Sequence, residues 1–246
     1  LHEAHELLGA MLIEREGWFV PLSYGDVLRE YSAVREGPCG VIDISNRGRI
    51  LVSGTEAVQF LNGLITNDMK TLTENRWMPA AFPNVQGRLI ASVRVVHLET
   101  VGTGKNACPT FLIETEAITH AAVLKTVERF TLAGDFLVTD ITNQTAMISV
   151  QGAKAVDVIH ATLGEEAALL ANGEVARVQG SNPAATETQP SLFDEPAVIR
   201  VSNTGLDAFD IIICSEQANE LWSSLQNAGA QPVGHEALET LRIEAG

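Results

Sequence analysis

The sequence predicts an α+β fold made of two antiparallel-sheet domains, each with a ferredoxin-like βαββαβ order of elements. The main observation is an internal repeat. Residues 50–64 and 147–163 each contain an apolar strand, a glycine, a polar pair, Ala-Val and a helical apolar pattern. The two glycines, Gly54 and Gly152, lie 98 positions apart. The repeat therefore predicts two units of similar architecture in one chain.

A second pair of segments supports the repeat. A strand followed by a helical pattern begins at Thr110 and again at Phe209, with nearly the same separation as the two glycines. Four further segments complete the two predicted sheets as strands: 88–98, 136–141, 197–202 and 231–233. Two repeats, at about 46–141 and 142–235, then account for most of the chain.

The segments before and between these elements are predicted in turn. Residues 1–13 are expected to form an amphipathic helix, with His2 and His5 on an exposed face; a metal-binding pair is the alternative. Residues 40–54 are expected to form two strands joined by a polar turn. The polar, proline-bearing segment 179–196 is expected to be a surface loop.

Composition and charge exclude several classes of function. The chain has 31 acidic and 16 basic residues among 246, a net charge of −15 that opposes the binding of nucleic acid. No apolar run reaches the roughly 20 residues that a membrane helix needs. Cys39, Cys108 and Cys214 lie far apart without a CxxC pair, which is typical of reduced thiols in a cytoplasmic protein. We therefore expect a cytoplasmic protein without a membrane span or a resident metal.

Two common kinds of catalytic motif are also excluded. Residues 101–108, VGTGKNAC, lack the first glycine and the Ser or Thr that a phosphate-binding loop requires. A Ser/His/Asp triad has no support, because His97, His120 and His160 fall inside predicted strands or helices. We interpret these histidines as surface or core residues.

A family resemblance is carried by five segments in a fixed order: GVIDISNRGRILVSG (40–54), AVQFLNGLITNDM (57–69), FPNVQGRLIASVRV (82–95), SNTGLDAFDI (202–211) and LRIEAG (241–246). Together they resemble the folate-binding domain of the glycine-cleavage T protein (aminomethyltransferase) family, which includes the YgfZ-type proteins. The resemblance implies two interleaved domains around a central folate cavity. The first would be formed by 1–45 with 142–246, and the second by 46–141. It also implies a C-terminal barrel, which this chain stops before.

Departures from the family pattern decide the expected subfamily. T proteins carry two aspartates after the tight turn, one of them catalytic, and these positions are Ala91 and Ser92 here. Neither residue offers a titrating group near neutral pH. The family's Y-T-G-E-D-G-[FY]-E is NTGLDAFD at 203–210, so its Tyr and first Glu are lost. The pair Gly87-Arg88 resembles the YgfZ branch.

The expected function follows from these departures. We predict a tetrahydrofolate-binding, YgfZ-like protein linked to iron–sulfur cluster maintenance or tRNA modification, with no catalytic residue retained. An iron–sulfur or other protein would be its partner, and direct binding of nucleic acid is not expected because of the acidic charge. One alternative is a tetrahydrofolate-dependent aminomethyltransferase in which another residue replaces the missing Asp. The other is a scaffold that has kept the fold and lost its ligand.

The resemblance also implies the residues that bind tetrahydrofolate or a one-carbon derivative of it. Glu244, in LRIEAG, matches a family carboxylate at the pterin end of the cavity. A carboxylate suits the 2-amino and ring N–H donors of a pterin; a glutamate on an exposed helix face is the alternative. Arg242, Phe209, Ser92 and Asn84 are further candidates. A structural ion pair for Arg242 and a core position for Phe209 remain alternatives.

Overall fold

The computed structural model describes residues 1–101, 107–129, 134–178, 193, 195–202 and 204–246. The helices are α1 (His2–Leu7), α2 (Val27–Arg35), α3 (Ala57–Asn62), α4 (Ala117–Glu128), α5 (Ala155–Leu163), α6 (Glu165–Ala168), α7 (Ala218–Asn227) and α8 (His235–Ala245). The strands are β1 (Met11–Arg15), β2 (Trp18–Ser23), β3 (Gly40–Asp43), β4 (Gly48–Ser53), β5 (Arg76–Pro83), β6 (Leu89–Val101), β7 (Cys108–Thr115), β8 (Leu137–Asp140), β9 (Thr145–Gln151), β10 (Val175–Arg177), β11 (Ala197–Val201), β12 (Ala208–Cys214) and β13 (Gln231–Pro232).

The chain divides into two compact units. Unit 1 comprises Leu1–Ser45, Gln144–Asn172 and Ala176–Gly246, and unit 2 comprises Asn46–Asn143 and Gly173–Val175. The predicted α+β class with antiparallel sheets is confirmed. The assignment of two folate-binding domains to particular ranges stays a prediction.

Unit 2 is built on a five-stranded sheet in the order β5-β6-β7-β4-β8, with antiparallel neighbours throughout. Alternate side chains such as Val52 and Phe111 pack with α3 and α4 into an apolar core. Because successive strand residues point to opposite faces, Leu51 and Leu112 lie on the other face of the sheet. The predicted βαββαβ order is present with one additional strand, β5.

Unit 1 is built on a six-stranded sheet in the order β10-β11-β12-β9-β3-β13. Strand β3 pairs with β9 in antiparallel and with β13 in parallel orientation. Alternate residues such as Val150 and Phe209 pack against α5 and α7, including the buried Trp222. The neighbouring residues Ser149 and Asp210 therefore lie on the face that does not carry α5 and α7.

The two sheets share one connection plan, which confirms the internal repeat predicted from the sequence. The order β5-β6-β7-β4-β8 of unit 2 corresponds to β10-β11-β12-β9-β13 of unit 1, where β3 is inserted before β13. Gly54 after β4 and Gly152 after β9 have φ of 139° and 131°. The N–H of Gly54 donates to Pro109 O, and the N–H of Gly152 donates to Asp207 O. These partners are again 98 positions apart.

The beginning of the chain differs from the prediction of one helix over 1–13. Helix α1 ends at Leu7, and β1 and β2 then form a two-stranded antiparallel sheet. The reason is local: Gly9 has φ of 73°, a left-handed conformation that takes the chain out of the helix. Leu7, the last residue of α1, is exposed.

The prediction that His5 lies on an exposed face is wrong. Its side chain is 1% exposed, and its ring packs edge-on against Trp222 with centroids 5.0 Å apart. Its Nε2 lies 2.9 Å from Asp43 Oδ2, and its Nδ1 lies 2.8 Å from the Tyr24 hydroxyl. Two polar partners make burial of the ring favourable, because each ring nitrogen is satisfied.

The two strands predicted in 40–54 exist as β3 and β4, but they belong to different sheets and do not pair with each other. The loop predicted at 179–196 falls almost wholly outside the described residues, as does most of 101–108.

The repeat glycines should not tolerate a side chain. A Cβ at Gly152 would lie 2.8 Å from Cys39 Cα, and one at Gly54 would lie 2.3 Å from Asp135 O. We expect Gly152→Ala and Gly54→Ala each to lower the free energy of unfolding by more than about 2 kcal/mol, since backbone strain and overpacking add. Urea unfolding measures the loss.

Gly17→Ala is the matched control, because Gly17 has φ of 80° with no heavy atom within 4 Å of its Cβ position. Strain alone should cost about 1 kcal/mol there. Equal losses in all three variants would show that the close approach at the repeat glycines is unimportant.

The Asp43 carboxylate should make part of the stability acid-sensitive. Burial alone would raise its pKa, but hydrogen bonds with His5 and Ser45 outweigh burial and hold the pKa of Asp43 below its ordinary value. The stabilisation that the Asp43 carboxylate contributes is therefore complete above the pKa of an aspartate in the unfolded chain, about 3.9. It is lost as pH falls through the lower pKa that Asp43 has in the folded protein. In urea titrations from neutral pH downward, Asp43→Asn should lose less stability below about pH 4 than the native chain. The exposed Asp157 provides Asp157→Asn as a control, and an unchanged acid slope in Asp43→Asn would contradict the assignment.

Candidate functional site

The predicted residue Glu244 lies near the end of α8 and contacts α2. Its Oε2 accepts a hydrogen bond of 2.8 Å from the Tyr31 hydroxyl, and its Oε1 lies 3.3 Å from Arg35 Nη2. The hydrogen bond to Glu244 is the main cause of a raised pKa at Tyr31. The Glu244 side chain is 42% exposed. Two partners on α2 thus hold a carboxylate that water can still reach.

The other two predicted residues of unit 1 lie in different surroundings. Arg242 forms an ion pair with Glu239 one turn earlier on α8, and hydrogen bonding to Arg242 lowers the pKa of Glu239. Phe209 is fully buried in the core beneath α5 and α7, with the Arg200 guanidinium 4.3 Å from the centre of its ring. The structural alternatives, an ion pair and a core residue, describe these positions. A role in binding folate stays a prediction for both.

Two predicted residues belong to unit 2. Asn84 closes the turn between β5 and β6, since its Oδ1 accepts the N–H groups of Gln86 at 3.0 Å and Arg88 at 2.9 Å. Ser92 is exposed on the sheet face opposite α3 and α4, whereas Ala91 is buried in the core with those helices. Of the two positions that match the family's aspartates, Ser92 is therefore the one that offers its side chain outside the core.

An arginine–glutamate cluster shares the sheet face of Ser92. Glu114 is 3% exposed and lies opposite Arg94 in the pairing of β6 with β7. Arg94 Nε donates to Glu114 Oε2 at 2.6 Å, and Arg47 Nε lies 3.1 Å from Glu114 Oε1. The Arg94 guanidinium also lies 5.5 Å from the centre of the Trp77 ring. Two cations thus surround one buried carboxylate, and one of them, Arg94, lies two residues along β6 from Ser92.

A buried polar chain in unit 1 was missed by the sequence-based prediction. Thr204 Oγ1 donates to Gln151 Oε1 at 3.1 Å, and Gln151 Nε2 donates to Ser149 Oγ at 2.9 Å. Ser149 Oγ then donates to Asp210 Oδ1 at 2.6 Å. All four side chains are at most 2% exposed, and Ser149 lies directly opposite Asp210 in the pairing of β9 with β12. We call these four residues the Asp210 chain.

The repeat provides an internal comparison for the Asp210 chain. The positions 98 residues before Ser149 and Asp210 are Leu51 and Leu112, and these two leucines lie opposite each other between β4 and β7. The same sheet position is therefore apolar in unit 2, so the fold does not require a carboxylate there. A buried carboxylate that is replaced by leucine at the matching position of the other unit is a candidate functional position. The sequence contained a pointer, because Asp210 is the acidic residue that ends NTGLDAFD where the family pattern ends in Glu.

Several other chemistries find no site in the described part of the chain. No group of three or more His, Cys, Asp or Glu residues there is arranged to hold a metal ion. No helix among the same residues has the length and apolarity to cross a membrane. Cys39 is buried, and burial raises the pKa of its thiol to about 11, which makes it a poor nucleophile. His120 bonds to Asp140 at 3.0 Å, as expected for a satisfied histidine.

The whole chain matches one known family of protein domains. The family model described as the GCVT N-terminal domain matches residues 1–246. The chain belongs to the GCVT N-terminal domain family. The resemblance predicted from five short segments is thereby confirmed, and it extends over the whole chain.

Two curated relatives of this chain are named aminomethyltransferase. An aminomethyltransferase of Francisella tularensis subsp. holarctica is 30% identical over 246 residues, which cover 100% of this chain and 63% of that protein. An aminomethyltransferase of Thermus thermophilus is 29% identical over 249 residues, covering 100% of this chain and 65% of that protein. The chain thus spans less than two thirds of these relatives.

A solved structure supports the fold. The glycine cleavage system aminomethyltransferase T from Bartonella henselae matches with a TM-score of 0.82 and 23% identity, over 98% of this chain and 60% of that one.

The two positions that match the family's aspartates should respond differently to a restored carboxylate. Ala91→Asp places an unpaired charge in an apolar core, and we expect it to lower the free energy of unfolding by about 3–5 kcal/mol or to prevent folding. Ser92→Asp stays at an exposed position and should change it by less than about 1 kcal/mol. Urea unfolding of both variants measures the difference. A loss in Ser92→Asp as large as in Ala91→Asp would contradict the side-chain directions of β6.

Proposed function

We propose that this chain is the folate-binding part of a tetrahydrofolate-dependent aminomethyltransferase of the glycine-cleavage T type. The family match over residues 1–246 supports this proposal, as do the curated relatives named aminomethyltransferase. The single structural observation that carries it is the Asp210 chain, with a buried carboxylate on the face of the unit 1 sheet opposite α5 and α7.

The chemistry of Asp210 fits a pterin. The edge of a pterin that bears the 2-amino group and the neighbouring ring N–H offers two adjacent donors, and a carboxylate accepts both. Hydrogen bonds to a charged acceptor are stronger than neutral ones, and a buried position strengthens them further. Ser149 already donates to Asp210 Oδ1, so the carboxylate has a fixed orientation. Tetrahydrofolate held in this way would accept the one-carbon unit at N5.

Access to this site must involve movement. Asp210 has no exposed surface, so a ligand that reaches it displaces the side chains that cover it. We therefore expect the rate constant for ligand association to be well below the usual range for preformed sites.

The predicted site residues keep distinct proposed roles. Glu244 is the second candidate for a pterin acceptor, since its carboxylate is ordered by Tyr31 and Arg35 and remains accessible. For Ser92, which has an exposed hydroxyl, the proposed role is to orient a ligand by a hydrogen bond, since it does not titrate near neutral pH and cannot act as a general acid or base. Ser92→Asp is the variant in which a gain of aminomethyl transfer should be sought. Arg242, Phe209 and Asn84 remain candidates through the family resemblance alone.

Folate binding without turnover is the second candidate function. It is favoured by one observation: Ala91 and Ser92 stand where T proteins carry aspartates. The predicted YgfZ-like role in iron–sulfur maintenance or tRNA modification rests on this same departure. The two relatives described above match over the whole chain and are named aminomethyltransferase, so we give the transferase first place.

Calorimetric titration of tetrahydrofolate tests the proposed function. We expect micromolar binding by the longest natural form that contains this chain. Asp210→Asn should weaken it by about 1.5–3 kcal/mol, the usual loss for a hydrogen bond to a charged group. Glu244→Gln, made alongside, ranks the two carboxylates, and circular dichroism checks that each variant is folded. Absence of binding by the folded native protein, or full affinity in Asp210→Asn, would contradict the proposal.

A further inference from the structure

The direction of every hydrogen bond in the Asp210 chain is determined by chemistry. Gln151 Oε1 has no hydrogen, so the Thr204 hydroxyl donates to it; the orientation of the amide follows from its other end, where Ser149 has given its one hydrogen to Asp210 and can only accept. Gln151 Nε2 is then the donor to Ser149 Oγ. Ser149 has one hydroxyl hydrogen, and the carboxylate oxygen of Asp210 accepts it. The donors therefore run in one direction, from Thr204 to Asp210.

The position of the Asp210 chain makes it sensitive to the turn before β12. Thr204 belongs to this turn, while Gln151 and Ser149 belong to β9, whose end is tied to the same turn by the bond from Gly152 N–H to Asp207 O at 2.9 Å. In buried surroundings, polar groups in series polarise and orient one another, so a change at one end reaches the other. Thr204 can thus act on Asp210 without touching it.

We propose that Thr204 and Gln151 are positioning residues, which set the affinity for the pterin through Ser149 and Asp210. This inference rests on the proposed function, because Asp210 is taken as the pterin acceptor. The apolar pair Leu51 and Leu112 at the matching position of unit 2 argues against a purely structural role, since the same sheet forms there without a polar chain. By holding the Asp210 carboxylate in one orientation, the Asp210 chain selects a ligand that offers two adjacent N–H donors to it.

A double-mutant cycle on tetrahydrofolate binding tests this proposal by calorimetry. Thr204→Val keeps the size of the side chain and removes the donor, and it should weaken binding about three- to tenfold. In the Asp210→Asn background the same substitution should change affinity by less than about twofold, because the acceptor that it serves is gone. Thr204→Ser restores the donor and should bind within about twofold of the native protein.

Thr145→Val is the matched control, since Thr145 is a buried threonine at the other end of β9 and outside the Asp210 chain. It should leave the affinity unchanged. Equal losses from Thr204→Val in both backgrounds, or a similar loss from Thr145→Val, would show a general structural effect and overturn the proposal. Native affinity in Thr204→Val would overturn it as well.

The same variants, unfolded in urea, separate this proposal from the proposed function. Gln151 and Ser149 connect Thr204 to Asp210 by three successive hydrogen bonds. Non-additive losses of stability in Thr204→Val and Asp210→Asn would demonstrate coupling through the chain even if tetrahydrofolate failed to bind. In that case the folate assignment alone would fall. Additive losses together with intact folate binding would remove the positioning role and leave the proposed function standing.

Discussion

The alternation of side chains across a duplicated sheet is the constraint on which the rest of the structure depends. In each unit one sheet face must be apolar, because it carries helices, and residues such as Val52 and Val150 meet that requirement. The opposite face does not carry these helices, although in unit 1 it contains buried apolar residues such as Ile42 and Ile212. Unit 1 has the polar pair Ser149 and Asp210 on this face, and in unit 2 the matching pair is apolar. Comparison of the two repeats thus distinguishes the residues that both sheets need from the polar pair that only unit 1 has.

In unit 1, the turn after β9 contributes both to the fold and to the position of the Asp210 chain. Gly152 adopts a φ that favours glycine and approaches Cys39 closely, and its N–H anchors the turn before β12. Gln151, the preceding residue, belongs to the Asp210 chain. The backbone geometry that closes the repeat therefore also determines where the polar chain can form. In unit 2 the same geometry at Gly54 is followed by no such chain among the described residues.

Much of the fold could be predicted from the sequence, because strand and helix patterns recur at a fixed separation. The burial of His5 could not, since it depends on Asp43, Tyr24 and Trp222, which are distant in the sequence. The family resemblance pointed to Glu244, but only the structure distinguishes its accessible carboxylate from the buried one at Asp210. Burial and hydrogen-bond direction are properties of tertiary contacts, and no local pattern contains them.

In the proposed function, the face of the unit 1 sheet opposite α5 and α7 holds a reduced folate through Asp210. A crystal structure of the protein with tetrahydrofolate tests it most directly. We expect the 2-amino edge of the pterin within about 3 Å of the Asp210 carboxylate, with the bond from Ser149 retained. A pterin bound at Glu244 alone, or elsewhere with Asp210 still covered, would contradict it.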